Sequence, residues 1–190
     1  FDTIYHLNGQ GRDLRTQRVA ADLVRSTGGG QTMWMSEPTW PNHPPIIKAV
    51  GLPIVEYGYY DRQSRHVLFD EMMASLNTAE AGDVVLLHER HAQAAARRRE
   101  VTHVVAARGL LPLVDIAYQG FGRGLDDDAH GLRGILAACD EVIVAQSCDK
   151  NFGVYRDRVG ALFVKADSEA ATKRAMAHVG QIAREMWSMP

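Results

Sequence analysis

A chain of 190 residues, 46% of them hydrophobic, can bury one good core, and a single domain is the natural expectation. Its formal net charge of −2 provides no global field to recruit nucleic acid or an anionic membrane. Two cysteines, Cys139 and Cys148, make no disulfide framework and fit a reducing, cytoplasmic setting, while no run reaches the roughly 18 apolar residues of a membrane span.

Phe1 to Gly11 shows no periodicity and reads as irregular. Leu14, Val19, Ala20, Leu23 and Val24 recur at near-helical spacing and predict a helix over Asp13 to Arg25. Gly28, Gly29 and Gly30 follow that helix instead of preceding one. This is the wrong order for a dinucleotide fingerprint, so they read as a turn. Thr32 to Met35 is a short strand. Two prolines make Glu37 to His43 a loop. A helix starts at Ile46 to Val50, and a strand follows over Pro53 to Tyr60. A turn at Asp61 to Ser64, a helix over Phe69 to Leu76 and a buried strand over Val84 to Leu87 come next.

The alanine- and arginine-rich stretch after His88 predicts a helix leading into Val104 to Ala107, with Arg97, Arg98 and Arg99 on a solvated face. His88-Glu89-Arg90-His91 is no zinc-protease motif, because its histidines are three apart where a shared helical face needs four. Leu110 to Ile116, Glu141 to Ala145 and Arg158 to Val164 are three further strands. Between the first two, Asp126 to Cys139 is helical, and Asp126, Asp127 and Asp128 suit its amino end, where the dipole favours acids. The glycines of Gly120-Phe-Gly-Arg-Gly124 read as a tight turn. Ser168 caps a last helix running through Ala175, Val179, Ile182 and Met186. Short apolar strands alternating with helices predict an α/β fold, a mainly parallel sheet with helices on both faces.

In such a sheet the carboxyl ends of the strands line the ligand crevice. One apolar run (Leu110 to Val114) ends at Asp115, with Tyr118 beyond it. The next (Val142 to Ala145) leads to Ser147 and Lys150. A lysine amine beside a carboxylate, a tyrosine and an arginine is what a pyridoxal phosphate site requires: the lysine holds the cofactor covalently and an acid holds the pyridine nitrogen protonated.

Three segments carry a family resemblance: Ser36 to His43 (SEPTWPNH), Asp115 to Leu125 (DIAYQGFGRGL) and Ser147 to Gly160 (SCDKNFGVYRDRVG). With them the chain resembles the class I, pyridoxal phosphate-dependent aminotransferases of the aspartate and aromatic amino-acid group, over Val19 to His88 and Val105 to Pro190. The resemblance implies the large domain of fold type I and a homodimer. It also implies amino transfer from an aspartate or aromatic amino acid to a 2-oxo acid such as 2-oxoglutarate. By resemblance Lys150 is the catalytic, cofactor-bearing lysine, Asp115 meets the pyridine nitrogen and Tyr118 the ring hydroxyl. Ser147 and Arg158 hold the phosphate, and Trp40 stacks on the ring. Arg184 crosses the dimer interface to the distal carboxylate of a dicarboxylic substrate. His43 either touches the cofactor region or packs.

The chain departs from the family pattern in two places. Gly11 to Gln17 lacks the glycines of the phosphate loop, and Glu89 to Ala96 replaces a segment whose asparagine contacts the ring oxygen. Both breaks return to family sequence, the pattern that local frame changes or deletions in the coding sequence produce. The expectation is therefore that residues 1–190 are a partial cofactor-binding large domain, an internal piece without the small domain. The alternative is an impaired remnant that retains only cofactor binding or dimer contacts.

Overall fold

The computed structural model of the chain describes residues 5–6, 12–26, 31–88, 95–154 and 159–186. Seven strands form the central sheet: β1 (Tyr5–His6), β2 (Met33–Glu37), β3 (Ile54–Gly58), β6 (Val84–His88), β7 (Leu111–Ile116), β8 (Val142–Ser147) and β9 (Gly160–Lys165). Their spatial order is β1-β9-β8-β7-β6-β2-β3. The five strands from β8 to β3 are parallel, whereas β9 runs antiparallel to β8, and β1 antiparallel to β9. A separate two-stranded hairpin, β4 (Tyr60–Asp61) with β5 (His66–Val67), closes through a turn in which Asp61 accepts the amides of Gln63 and Ser64.

Each parallel strand places alternate side chains on opposite faces. Val84, Leu86, Leu113 and Ile143 enter one core; Val85, Leu87, Val114 and Val144 enter the other. The first core is closed by α1 (Arg12–Ser26), α2 (His43–Ala49) and α7 (Glu169–Met186). The second is closed by α3 (Phe69–Leu76), α4 (Ala95–Ala107) and α6 (His130–Ala138). Strands buried on both faces explain the continuous apolar runs, and each fully buried Leu, Val or Met contributes about 1.5–3 kcal/mol.

The sheet is mainly parallel with helices on both faces, as the alternation predicts. Several differences have local causes. The segment to Gly11 holds a two-residue strand, which exists only through its pairing with Leu162 and Ala161. The run predicted as one strand to Tyr60 breaks after Gly58, because Tyr60 leaves the sheet to pair with Val67. The helix predicted over Asp126 to Cys139 is interrupted at Ala129, giving α5 (Leu125–Asp128) before α6. Ser168 accepts the amide of Ala171 at 3.2 Å, the cap that was expected. Gly28 to Gly30 and the Glu89 to His91 part of the histidine motif lie outside the described residues.

Strand order fixes where a ligand can sit. From β2 the chain moves outward to β3 through α2. It then crosses beneath the sheet through α3 to β6 on the other side of β2. That reversal makes the carboxyl ends of β2 and β6 a topological switch point, where the flanking connections part and leave a crevice.

Candidate active site

At this edge, register sets His88 of β6 opposite Asp115 of β7, and Asp115 opposite Ala145 of β8. The pleat turns Asp115 to the face covered by α1 and α2. There its Oδ2 meets Gln17 Nε2 at 3.1 Å and His43 Nε2 at 3.2 Å, with His88 Nδ1 at 3.8 Å. Among the described residues no donor is directed at Oδ1. Asp115 therefore meets its described partners through Oδ2 alone.

The histidines join through a hydroxyl. Thr39 Oγ1 lies 2.8 Å from His43 Nδ1 and 3.1 Å from His88 Nε2. A proton on His43 Nε2 directed at the carboxylate leaves Nδ1 to accept from Thr39, whose oxygen then accepts from His88 Nε2–H. Each hydrogen in this chain has one place to go. Trp40 sets its ring edge-on to His43, with centroids 5.2 Å apart, and packs against the core beneath.

Burial, with His43 close by, pushes the His88 imidazole down to about 4, against a smaller opposing pull from Asp115. His88 is neutral when folded and takes up a proton near 6.5 once unfolded. Between these values the unfolded chain binds more protons, so stability is full above about 6.5 and declines as pH falls toward 4. At about 1.36 kcal/mol per unit the complete loss is on the order of 3 kcal/mol. Urea unfolding at pH 7.5 and pH 5 should show a larger drop for the wild type than for His88→Asn. Equal drops would remove His88 from the account.

Lys150 lies in a turn after β8, with its Nζ 4.4 Å from the centroid of the Tyr118 ring. Two contacts on Gln119 hold these segments together. Gln146 Nε2 donates to Gln119 Oε1 at 3.1 Å, and Asn151 Nδ2 donates to the Gln119 carbonyl. Behind Lys150, the fully buried Asp149 accepts the Val159 amide at 2.7 Å, while Cys148 N donates to Val159 O at 2.8 Å. Those bonds close the base of the loop that bears the lysine. Ser147 is buried, and its Oγ accepts the Asp149 amide at 3.3 Å, an arrangement that keeps its O–H available to donate.

The glycine-rich stretch after Tyr118 is shaped by an acid. Asp128 accepts the amides of Gly120, Gly122 and Arg123 at 2.8–2.9 Å, and these bonds hold its carboxyl below the usual carboxylate range. At Gly122 a Cβ would meet Asp128 Oδ1 at 2.6 Å, so a larger residue there would displace the carboxylate that ties the loop. The acid run is thus more than a solvated helix start. Asp126 pairs with Arg133 and Asp128 ties the loop.

Of the predicted site residues, Asp115, Tyr118, Ser147 and Lys150 gather at one sheet edge, and Trp40 adjoins them through His43. Arg184 lies exposed in the last turn of α7, outside this group. Arg158 falls outside the described residues.

The aminotransferase class I and II profile matches residues 16–190. The chain belongs to the class I and II aminotransferases. Among its relatives, tyrosine aminotransferase of Rhizobium meliloti (strain 1021) is 46% identical over 179 residues, 91% of this chain and 46% of that protein. Aspartate aminotransferase of Escherichia coli (strain K12) is 42% identical over 91% of this chain and 45% of its own length. The crystal structure of aromatic-amino-acid aminotransferase from Burkholderia pseudomallei, covalently bound to pyridoxal phosphate, superposes with a TM-score of 0.90 at 34% identity. It covers 98% of this chain and 48% of that one. The fold is accordingly that of the aminotransferases, and this chain spans about half the length of the curated relatives it matches.

Sequence reasoning left His43 open and passed over Gln17, Thr39 and His88. His43 carried a signal, lying at the end of the Ser36 to His43 motif. The bond from Gln17 to Asp115 spans 98 positions, and no local pattern announces it.

Proposed function

We propose that this chain is the cofactor-binding large domain, or part of it, of an aminotransferase. In this reading pyridoxal phosphate serves amino transfer from an aspartate or aromatic amino acid to a 2-oxo acid such as 2-oxoglutarate. The observation that carries the reading is the juxtaposition of the Lys150 amine and the Tyr118 ring at the edge where Asp115 meets its protein partners through Oδ2 alone. These groups fit the ring half of the cofactor. An acceptor for the pyridine N–H, a phenol and a primary amine are all present, and Ser147 has a hydroxyl hydrogen to give an anion.

When bound, pyridoxal phosphate supplies an electron sink for the charge that develops at the substrate Cα. The protein's own groups do the rest. Asp115 Oδ1 accepts the pyridine N–H and keeps that proton in place. Tyr118 donates to the ring oxygen, and Trp40 forms a wall of the ring pocket. Ser147 and Arg158 bind the phosphate oxygens, the guanidinium through its fixed fork of donors. Lys150 would hold the cofactor covalently through its amine, with the aldehyde oxygen leaving as water. With an amino acid bound in its place, the freed amine would be the base that accepts the Cα proton and later returns it.

A homodimer belongs to this reading. Phe121, Leu125 and Phe152 are 63%, 66% and 75% exposed beside Tyr118 and Lys150, an apolar rim of the kind a second subunit covers. Arg184 would then reach the distal carboxylate of a substrate held by the partner. The cytoplasmic setting rests on Cys139 and Cys148, which form no disulfide. Among the described residues no helix is long and apolar enough to cross a membrane.

A second reading has support in the altered segments, residues 8–17 and 89–104. It describes an impaired remnant that retains cofactor binding or subunit contact without turnover. Borohydride reduction of the chain with pyridoxal phosphate, followed by peptide mapping, tests the first reading. A phosphopyridoxyl group on the peptide containing Lys150 is the expected result, and label spread over surface lysines would overturn it. Amino transfer by the same preparation, alone and mixed with a full-length relative, then separates enzyme from remnant.

A further inference from the structure

Gln17 sits on α1, a helix whose inward face is otherwise apolar: Val19, Ala20, Ala21, Leu23 and Val24 are all buried in the first core. Gln17 is 7% exposed, so its amide has been taken out of water among hydrocarbon neighbours. An enclosed amide destabilises the fold unless it is bonded. Only its NH2 end finds a partner, Asp115 Oδ2 at 3.1 Å; Oε1 is enclosed without one among the described residues. A leucine would fill this place in the core with no such penalty. The amide therefore serves the contact with Asp115 and not packing.

What the contact achieves follows from the carboxylate's geometry. The terminal torsion of an aspartate is broad and two-fold, so a single donor leaves the group able to pivot. Two donors from different helices converge on one oxygen here, Gln17 from α1 and His43 from α2 at 3.2 Å. Both helices are packed against the same sheet face, which fixes the directions of approach.

We propose that Gln17 is a positioning residue for Asp115, locking Oδ2 together with His43 so that Oδ1 alone faces the pyridine nitrogen of the cofactor. This rests on the reading that Asp115 holds that nitrogen. The segment that departs from the family's glycine loop thereby gives the site a donor of its own, in a chain whose other contacts with Asp115 come from histidines. Gln17 acts on the ring end of the cofactor, not on its phosphate.

The test compares wild type, Gln17→Leu and Asp115→Ala. Without cofactor, the Gln17 side-chain NH2 protons of the wild type should exchange slowly with solvent, and Asp115→Ala should release them. With pyridoxal phosphate labelled with 15N in the ring, Gln17→Leu should move the ring nitrogen resonance. It should also weaken binding about tenfold or more, the loss expected for one charge-assisted hydrogen bond. The thermal midpoint should not fall, a combination that a purely structural role does not produce. Wild-type binding that Gln17→Leu leaves unchanged in affinity and resonance overturns this proposal alone. A wild type that takes up no cofactor overturns both this proposal and the functional reading beneath it.

Discussion

Replacing Lys150 by alanine leaves a folded chain that no longer attaches pyridoxal phosphate covalently. Lys150 is only partly buried, and its amine stands 4.4 Å from the centroid of the Tyr118 ring. Loss of such a contact at a partly exposed site costs about 0.5–1 kcal/mol, a small change in the unfolding free energy measured in urea. The chemical loss is of another order. No other described amine stands over Tyr118 at this edge, and a neighbouring hydroxyl or amide cannot form the bond to an aldehyde that a lysine forms. Borohydride-fixed label should vanish from the peptide spanning position 150. Whatever turnover the chain supports should fall about 10²–10⁴-fold, the range for losing a positioned proton carrier. Absorbance of the mutant with cofactor should match that of the free cofactor. A mutant that fixes as much label as the wild type would remove Lys150 from the proposed role.

The second large effect lies away from the crevice, at the amino ends of the strands. Asp83 is 8% exposed and accepts three donors: Thr32 N at 2.8 Å, Trp34 Nε1 at 2.9 Å and Glu80 N at 3.1 Å. These bonds join the approach to β2 to the approach to β6, two strands that are neighbours in the sheet but 51 positions apart by the first contact. Asp83→Ala leaves an indole N–H and two amides without an acceptor, at about 1–3 kcal/mol for each group that water cannot reach. We expect a total loss of about 3–5 kcal/mol, a large part of a typical domain's stability. Asp83→Asn keeps one acceptor oxygen but turns a donor toward donors, so it should lose about half as much. Urea unfolding at pH 7 with unchanged m-values measures both. A loss below about 1 kcal/mol for the alanine variant would mean that water satisfies the freed groups. Because Asp83 is remote from Lys150, its replacement should leave labelling of the folded fraction intact.

Much of the architecture is legible because it is written locally. The 3.6-residue spacing of Val19, Leu23 and Val24 and the apolar runs Val84 to Leu87 and Val142 to Ala145 each record burial within a few residues of chain. Strand alternation with helices forces a parallel sheet, and parallel strands bring Asp115 and Ser147 to the same edge. The reversed direction of β9 is different. Its sequence is an ordinary apolar strand, and only its antiparallel pairing with β8 reveals the orientation.

By itself, then, the sequence determined the α/β class, most elements, the family and the acid and lysine on which the proposed chemistry rests. The information needed for these is periodicity and short motifs. Tertiary structure alone decided what surrounds them: Gln17 and His43 on one oxygen of Asp115, Thr39 between two histidines, Gln119 joining Tyr118 to the Lys150 turn, and Asp83 bridging β2 and β6. Apart from the local Thr39–His43 bond, each of these joins residues brought together by the order of strands in the sheet. A hydrogen bond depends on the position of two groups in space, and separations of 27 to 98 positions leave no periodic trace in the chain.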